Sequence, residues 1–229
     1  IGDRLHLIDP NDDRYRVGLN YFDLSVASTA KKVGLVMEAI YRAMGRSQEN
    51  DMTITFERWG GAALSLLADA GLTLADFHSV LVDEGLRRAA LARSSDPFVQ
   101  SEWDYFSGVN SREQNIFLQA SINRAALFAK DQAINEMIGQ PNAIDWQEVM
   151  NNDGIVLVNL APVKATEQVC RFLGIMLIHQ IYHAGIERPK KFWKKPCYVI
   201  ADEFADMVCP DFKDALQKLR EFGIAMILA

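Results

Sequence analysis

Toward one end of the 229-residue chain, an apolar run, Cys197-Tyr-Val-Ile-Ala201, leads straight into Asp202-Glu203. Such a run reads as a strand buried on both faces, as in parallel sheets, where polar alternation is not needed. Ligands of parallel α/β sheets sit at the carboxyl ends of strands, where these two carboxylates emerge. Asp202 suits contact, through water, with a Mg²⁺ ion on bound phosphates. Glu203 suits polarising the water that attacks them. The pair therefore points to nucleotide binding and phosphate hydrolysis.

Apolar runs followed by Asp-Glu also arise by chance, and the residues that come next weigh against chance here. An amphipathic stretch ends Gln217-Lys218-Leu219-Arg220-Glu221-Phe222, Gly223 stops it, and Ile224-Ala-Met-Ile-Leu-Ala229 reads as a second buried strand. This makes a β-α-β unit with its acids at the ligand-binding end. It is the Walker B arrangement of a P-loop NTPase.

Other candidate chemistry is weaker. His179 and His183 stand four residues apart on one helix, a metal-ligand spacing, but the string His-Gln-Ile-Tyr-His lacks the glutamate of zinc proteases and no third ligand is apparent. Core or interface histidines are the plainer reading. Arg188-Pro-Lys190-Lys191-Phe-Trp-Lys194-Lys195 could track a nucleic-acid backbone. Its place between a helix and a core strand favours a solvated linker. Trp59, Trp103 and Trp146 read as core.

The elements that must position the acids follow a coarse order. Arg4-Leu-His-Leu-Ile8 reads as a short strand, closed by the turn Asp9-Pro10-Asn11-Asp12-Asp13. Tyr15 to Asn20 reads as a second short extended piece. From Leu24 to Gly139 the periodicity is helical throughout: Leu24–Met44, Phe56–Ala70, a short helix opened by Thr73 and Asp76, Asp83–Ala92, one opened by Asp96-Pro97, and a long helix from Asn110 to Ile138. After Asp153-Gly154 come a strand from Ile155, a helix over Lys164–His183, and the strand that ends at Asp202. The pattern describes an α/β core interrupted by a helical block.

Composition sets limits. Hydrophobic content of 49% is ample for a core, and a net charge of −6 argues against bulk attraction to nucleic acid or anionic lipid. Three cysteines without a CxxC pair fit a reduced, cytoplasmic protein. The longest uninterrupted apolar run, Phe172 to Ile178, falls short of the ~20 residues that span a bilayer. Neither Ile1 nor Ala229 reads as a natural terminus, and the chain is expected to be an internal piece of a longer protein.

Four stretches, in order, carry a wider likeness: Leu7-Ile-Asp9-Pro-Asn-Asp with Val17-Gly18-Leu19-Asn20; Asp96-Pro-Phe-Val-Gln-Ser-Glu-Trp103; Gly154-Ile-Val-Leu-Val-Asn-Leu160 with Leu173-Gly-Ile-Met-Leu; and Ile200-Ala-Asp202-Glu203-Phe204 through Leu219-Arg220-Glu221-Phe222-Gly223. Together they resemble the HerA/FtsK superfamily of hexameric DNA-pumping ATPases, nearest the conjugative coupling proteins of type IV secretion and their TraG/TraD-like relatives. The resemblance implies a partial RecA-like P-loop NTPase core (residues 1–23 and 140–229) with an inserted all-α subdomain (24–139). It implies ATP and Mg²⁺ as ligands, DNA as partner, a homo-hexameric ring, and relaxase or secreted proteins as further partners.

It also implies two pieces outside the chain. One is a G-x-x-x-x-G-K-[ST] loop ahead of Ile1, since no such string occurs here. The other is a polar sensor after Ala229. The fragment alone would then be inactive, and helices upstream would anchor the parent of a coupling protein in the inner membrane, with no membrane contact from this segment. In such motors the arginine at the position of Arg220 enters the neighbouring subunit's ATP site. Read without the resemblance, Arg220 is a surface residue favoured by the helix dipole. Two other functions remain compatible: a soluble HerA-like helicase working with a nuclease, and a non-hydrolysing docking module for substrate proteins.

Overall fold

Short polar side chains start the helices. Ser28, Asp83, Asp96, Asn110, Asp131, Asp145 and Thr166 each accept a hydrogen bond from a backbone N–H of the turn that follows, satisfying donors that have no partner within the helix. The computed structural model describes residues 4–12, 14–22, 28–44, 54–142, 144–202 and 218–228. Within these, strand β1 (Leu5–Ile8) precedes helices α1 (Thr29–Ala43), α2 (Ile54–Ala70), α3 (Phe77–Val82), α4 (Glu84–Leu91), α5 (Pro97–Gly108), α6 (Ser111–Ala129), α7 (Gln132–Ile138) and α8 (Trp146–Asn151). Then follow β2 (Ile155–Val158), α9 (Glu167–Ile186), β3 (Cys197–Ala201) and β4 (Ile224–Leu228). The result is a mixed α/β arrangement, mostly helix, with two small parallel sheets among the described residues.

Each sheet has two strands. β1 pairs with β2, Leu5 opposite Ile155 and Ile8 opposite Val158. β3 pairs with β4, Cys197 opposite Ile224 and Ala201 opposite Leu228. The helices from α1 to α8 thus leave from one strand and return to its neighbour. A neck of hydrogen bonds closes the base of that excursion: the Leu19 N–H donates to the Met137 carbonyl (2.8 Å), the Ile144 N–H to that of Gly18 (3.2 Å), and the Asn20 amide to that of Pro141 (2.8 Å).

Burial is organised around α1, α2 and α9. Val36, Ile40, Phe56, Leu64, Leu67, Phe172 and Leu173 are wholly inaccessible. Trp59 stacks on Phe117 (5.2 Å between centroids) and meets Phe106 edge-on (5.3 Å), and Trp103 lies beside it at 6.0 Å. All three tryptophans expected in the core are buried: Trp59, Trp103 and Trp146.

A polar staple joins the end of α2 to the start of α5. The Asp69 carboxylate accepts from the Ser94 hydroxyl (2.6 Å) and from the amides of Ser95 (2.7 Å) and Asp96 (3.1 Å). The Ser94 hydrogen bond, with the two amides, outweighs partial burial and holds this carboxyl below its ordinary value. A carboxyl depressed by folding stabilises fully above its unfolded-state pKa, near 3.9. That contribution is lost as pH falls through the lower folded-state value. Urea unfolding should find Asp69→Asn less stable than wild type by about 1–2 kcal/mol at pH 7, with the gap closing in acid. Equal midpoints at pH 7 would remove Asp69 from the stability of this corner.

Several sequence expectations are corrected. The single helix from Asn110 to Ile138 is two, because the Asp131 side chain bonds the Ile134 N–H and restarts the helix after Lys130. Tyr15 to Asn20 forms no strand; its backbone is spent on the neck. α9 begins at Glu167 and runs to Ile186, later at both ends than Lys164–His183. α8, a single short turn-and-a-half, was not legible. β3 is half-buried on one face and open on the other among the described residues: Cys197 and Val199 pack toward the core, while Tyr198 is 63% and Ile200 73% exposed. Finally, α9 is long and apolar enough to cross a membrane by length and composition, contrary to the apolar-run reading, but 72% of that stretch is buried within the fold, as in a core helix.

Candidate functional site

β3 and β4 set the geometry. Both strands are apolar, and their parallel register places Asp202 just beyond the carboxyl end of β3. There it is exposed, at the rim of a groove of about 600 Å³ formed by the ends of β2 and β3 over α9. Val158 and Leu160 after β2, Val199 and Ala201 of β3, and Glu167 and Arg171 in the first turns of α9 all line it. Arg171 Nη2 bonds Glu167 at 2.8 Å. The groove therefore has a mostly apolar lining that also includes one arginine and two carboxylates. Glu203 lies outside the described residues, as do residues 203–217, where the helix after Asp202 is expected.

The ends of β1 and β2 add a hydrogen-bond network to which the sequence pattern alone gives no chemistry. Asp9 accepts from the Asn159 side-chain amide (3.0 Å) and the Asn11 backbone amide (2.8 Å). Asn11 in turn bonds the Ala161 carbonyl (3.0 Å) and accepts from the Lys164 N–H (2.8 Å). Burial acts to raise the Asp9 pKa, but the bonds from Asn159 and Asn11 prevail and hold it below its ordinary value. These side chains fix the loops beside the groove. Asx residues right after an apolar strand were the available signal.

Arg220 stands elsewhere. It belongs to a short 3-10 turn, Leu219–Phe222, that enters β4 through Gly223. The Gly223 carbonyl accepts from the Cys197 N–H at 2.9 Å, and the Gly223 N–H reaches the Arg220 carbonyl at 3.2 Å. Arg220 is therefore at the amino end of the β3–β4 sheet, and Asp202 at its carboxyl end. Five strand steps of about 3.3 Å separate the two levels, roughly 16 Å, more than an arginine side chain spans. The fold does not bring these two candidates together within one chain.

The turn itself is held tightly. Leu219 and Ile224 are both 2% exposed, while Arg220 between them is exposed. Gly223 has φ +75, a left-handed conformation suited to glycine, and a side chain there would collide with the Trp193 carbonyl. α9 approaches through Gly185, where an added Cβ would lie 2.4 Å from Ile224.

The basic run expected to be a solvated linker is in part structural. Lys190, Lys191 and Lys194 are exposed, but Arg188 is buried at 2% exposure. Its guanidinium donates to Asn151 Oδ1 (3.0 Å) and to the carbonyls of Met150 (3.0 Å) and Phe222 (3.4 Å). Burial pushes the Arg188 pKa down. Lys195 donates to the Asn151 carbonyl (2.9 Å) and pairs with Asp153 at 2.8 Å. Both cations thus satisfy carbonyls at the end of α8, where helical partners run out.

His179 and His183 are buried, at 2% and 3% exposure, and no cluster of three or more potential metal ligands occurs among the described residues. They sit in the core helix.

No protein-family model and no curated protein matches the chain. Solved structures do. The plasmid coupling protein TrwB in complex with the non-hydrolysable GTP analogue GDPNP matches with a TM-score of 0.56 and 14% identity, covering 99% of this chain and 52% of that one. The bacterial conjugative coupling protein TrwBdeltaN70, in an unbound monoclinic form, matches with a TM-score of 0.54 and 16% identity, covering 99% and 51%. The chain spans about half the length of the structures it matches. At these identities the likeness is one of fold, and over nearly its whole length this chain has the fold of part of a conjugative coupling protein.

Proposed function

We propose that this chain is part of an ATP-dependent DNA-translocating motor, the coupling ATPase of a conjugation or type IV secretion apparatus. In this reading, residues 1–23 and 140–229 belong to a RecA-like nucleotide-binding core, and residues 24–139 form an all-α insertion. What supports it most is Asp202 at the carboxyl end of a parallel strand, in a fold shared with a coupling protein solved with a GTP analogue.

The residues fit a nucleotide in part. Asp202 supplies a carboxylate to the lining of a groove of about 600 Å³, and Glu203 follows it directly in sequence. The phosphate-cradling glycine loop is not among these 229 residues; in this reading it would come from outside them. Bound Mg²⁺ would neutralise developing charge on the phosphates. Asp202 would orient it through water, and Glu203 would polarise the attacking water.

Arg220, at the opposite end of the sheet, would serve a neighbouring subunit's nucleotide, so the motor works as a homo-oligomeric ring, a hexamer by its resemblance. DNA would run through that ring, with relaxase or secreted proteins delivered to it. The test is hydrolysis by the purified full-length protein with ATP and Mg²⁺, with and without DNA. Mg²⁺-dependent turnover that DNA stimulates is expected. A protein that binds no nucleotide would overturn the reading, and binding without turnover would make the chain a docking module.

A further inference from the structure

We propose that Arg188 is a positioning residue for Arg220: its buried guanidinium locks the Leu219–Phe222 turn against the end of α8, and so fixes the direction in which Arg220 leaves the subunit. The inference rests on the reading of Arg220 as a residue that acts on a neighbour's nucleotide.

Arg188 is 2% exposed and has no carboxylate partner among the described residues; its three acceptors are all neutral oxygens. A charge buried in this way is costly unless its hydrogen bonds are met, and an apolar side chain of similar volume would fill the space at less cost. The apolar side chain could not do what this one does. The flat guanidinium fork holds two elements at a fixed angle: Met150 and Asn151 on α8, and Phe222 two residues beyond Arg220.

Trp193 closes the arrangement from the other side. Its indole N–H donates to the Arg188 carbonyl at 2.8 Å, and its ring meets Phe222 edge-on at 5.2 Å. The turn is gripped on both sides of Phe222, while Arg220 itself stays exposed. Catalytic contacts tolerate little displacement, since about 1 Å of misplacement costs on the order of 100-fold in rate.

The test uses the full-length protein and mixed oligomers. Arg188→Gln should keep nucleotide KM near the wild-type value and lower kcat by about 100-fold. Mixed with Glu203→Gln subunits, whose Arg220 is intact, it should regain turnover, because its own Glu203 then meets a well-placed neighbouring arginine. Mixed with Arg220→Ala subunits it should regain none. A general folding defect in the Arg188 variant would not be rescued by either partner. If Arg188→Gln fails to assemble, Arg188→Lys decides in the same mixtures, since a lysine ammonium keeps the charge but lacks the rigid planar fork that reaches Asn151, Met150 and Phe222 from three nitrogens at once. Wild-type kcat in the Arg188 variants, or no rescue by Glu203→Gln, overturns the inference. Wild-type turnover of Arg220→Ala alone would instead overturn the reading beneath it.

Discussion

In the full-length protein, Arg220→Ala is expected to bind ATP with unchanged affinity and to hydrolyse it about 10³- to 10⁵-fold more slowly, the range for removing an arginine that meets transition-state charge. The argument is geometric. Arg220 precedes the amino end of β4, and Asp202 follows the carboxyl end of β3, in a register that keeps them apart. A residue so placed cannot serve the nucleotide at its own Asp202. It can serve one held by an adjacent copy, and the loss should then appear in kcat rather than in binding. If the chain acts in the proposed ring, turnover should also fall on dilution. Nucleotide binding by fluorescence titration and steady-state hydrolysis together decide the matter. A variant that cycles at the wild-type rate leaves Arg220 as a surface residue beside a turn.

Glu203→Gln carries the second large effect. The amide keeps the size and one acceptor of the carboxylate but cannot take up charge from the attacking water. Turnover should drop by about 10²- to 10⁴-fold while ATP stays bound, so the variant should accumulate as an ATP-loaded oligomer. Asp202→Asn, by contrast, should weaken nucleotide binding in the presence of Mg²⁺ and have less effect without it. The two neighbours are thereby separable: one variant stalls with ATP bound, and the other loses its metal-dependent affinity. Normal cycling by Glu203→Gln would take Glu203 out of the mechanism.

Much of this arrangement was legible in the sequence where local chemistry and pattern agree. Asp83, Asp96 and Asn110 stand where the sequence pattern opens helices, and all three cap helices. The apolar runs at Cys197 and Ile224 pair in parallel, as a β-α-β unit requires, with Gly223 at the turn between them.

What failed to show was set by distant contacts. Lys130-Asp131 lies inside an unbroken helical pattern, and only the Asp131 side-chain bond to Ile134 reveals the break. Arg188 begins a run of cations, so composition suggests solvent. Its burial depends on carbonyls that come from 38 residues before it and 34 after. Strand alternation was hidden as well: β3 is apolar at Tyr198 and Ile200 although that face is exposed. The groove at Asp202 follows the same rule. Its position came from strand direction alone, whereas Arg171 and Glu167 in its lining depend on how α9 crosses the sheet.

The neck below the helical excursion changes the entropy of the whole chain. Asp9 and Asn159, joined at the strand ends, are 150 residues apart in sequence, a long ring to close. Once the bonds at Gly18, Leu19 and Asn20 have drawn Ile144, Met137 and Pro141 together, the ring left for β1 and β2 is only roughly two dozen residues, and closing it costs about 1.5 kcal/mol less. The excursion closes its own base through these bonds. In loop-closure entropy, everything from α1 to α7 then weighs no more on the pairing of β1 with β2 than an ordinary loop, while α1 stays tied to the core through its packing on α9.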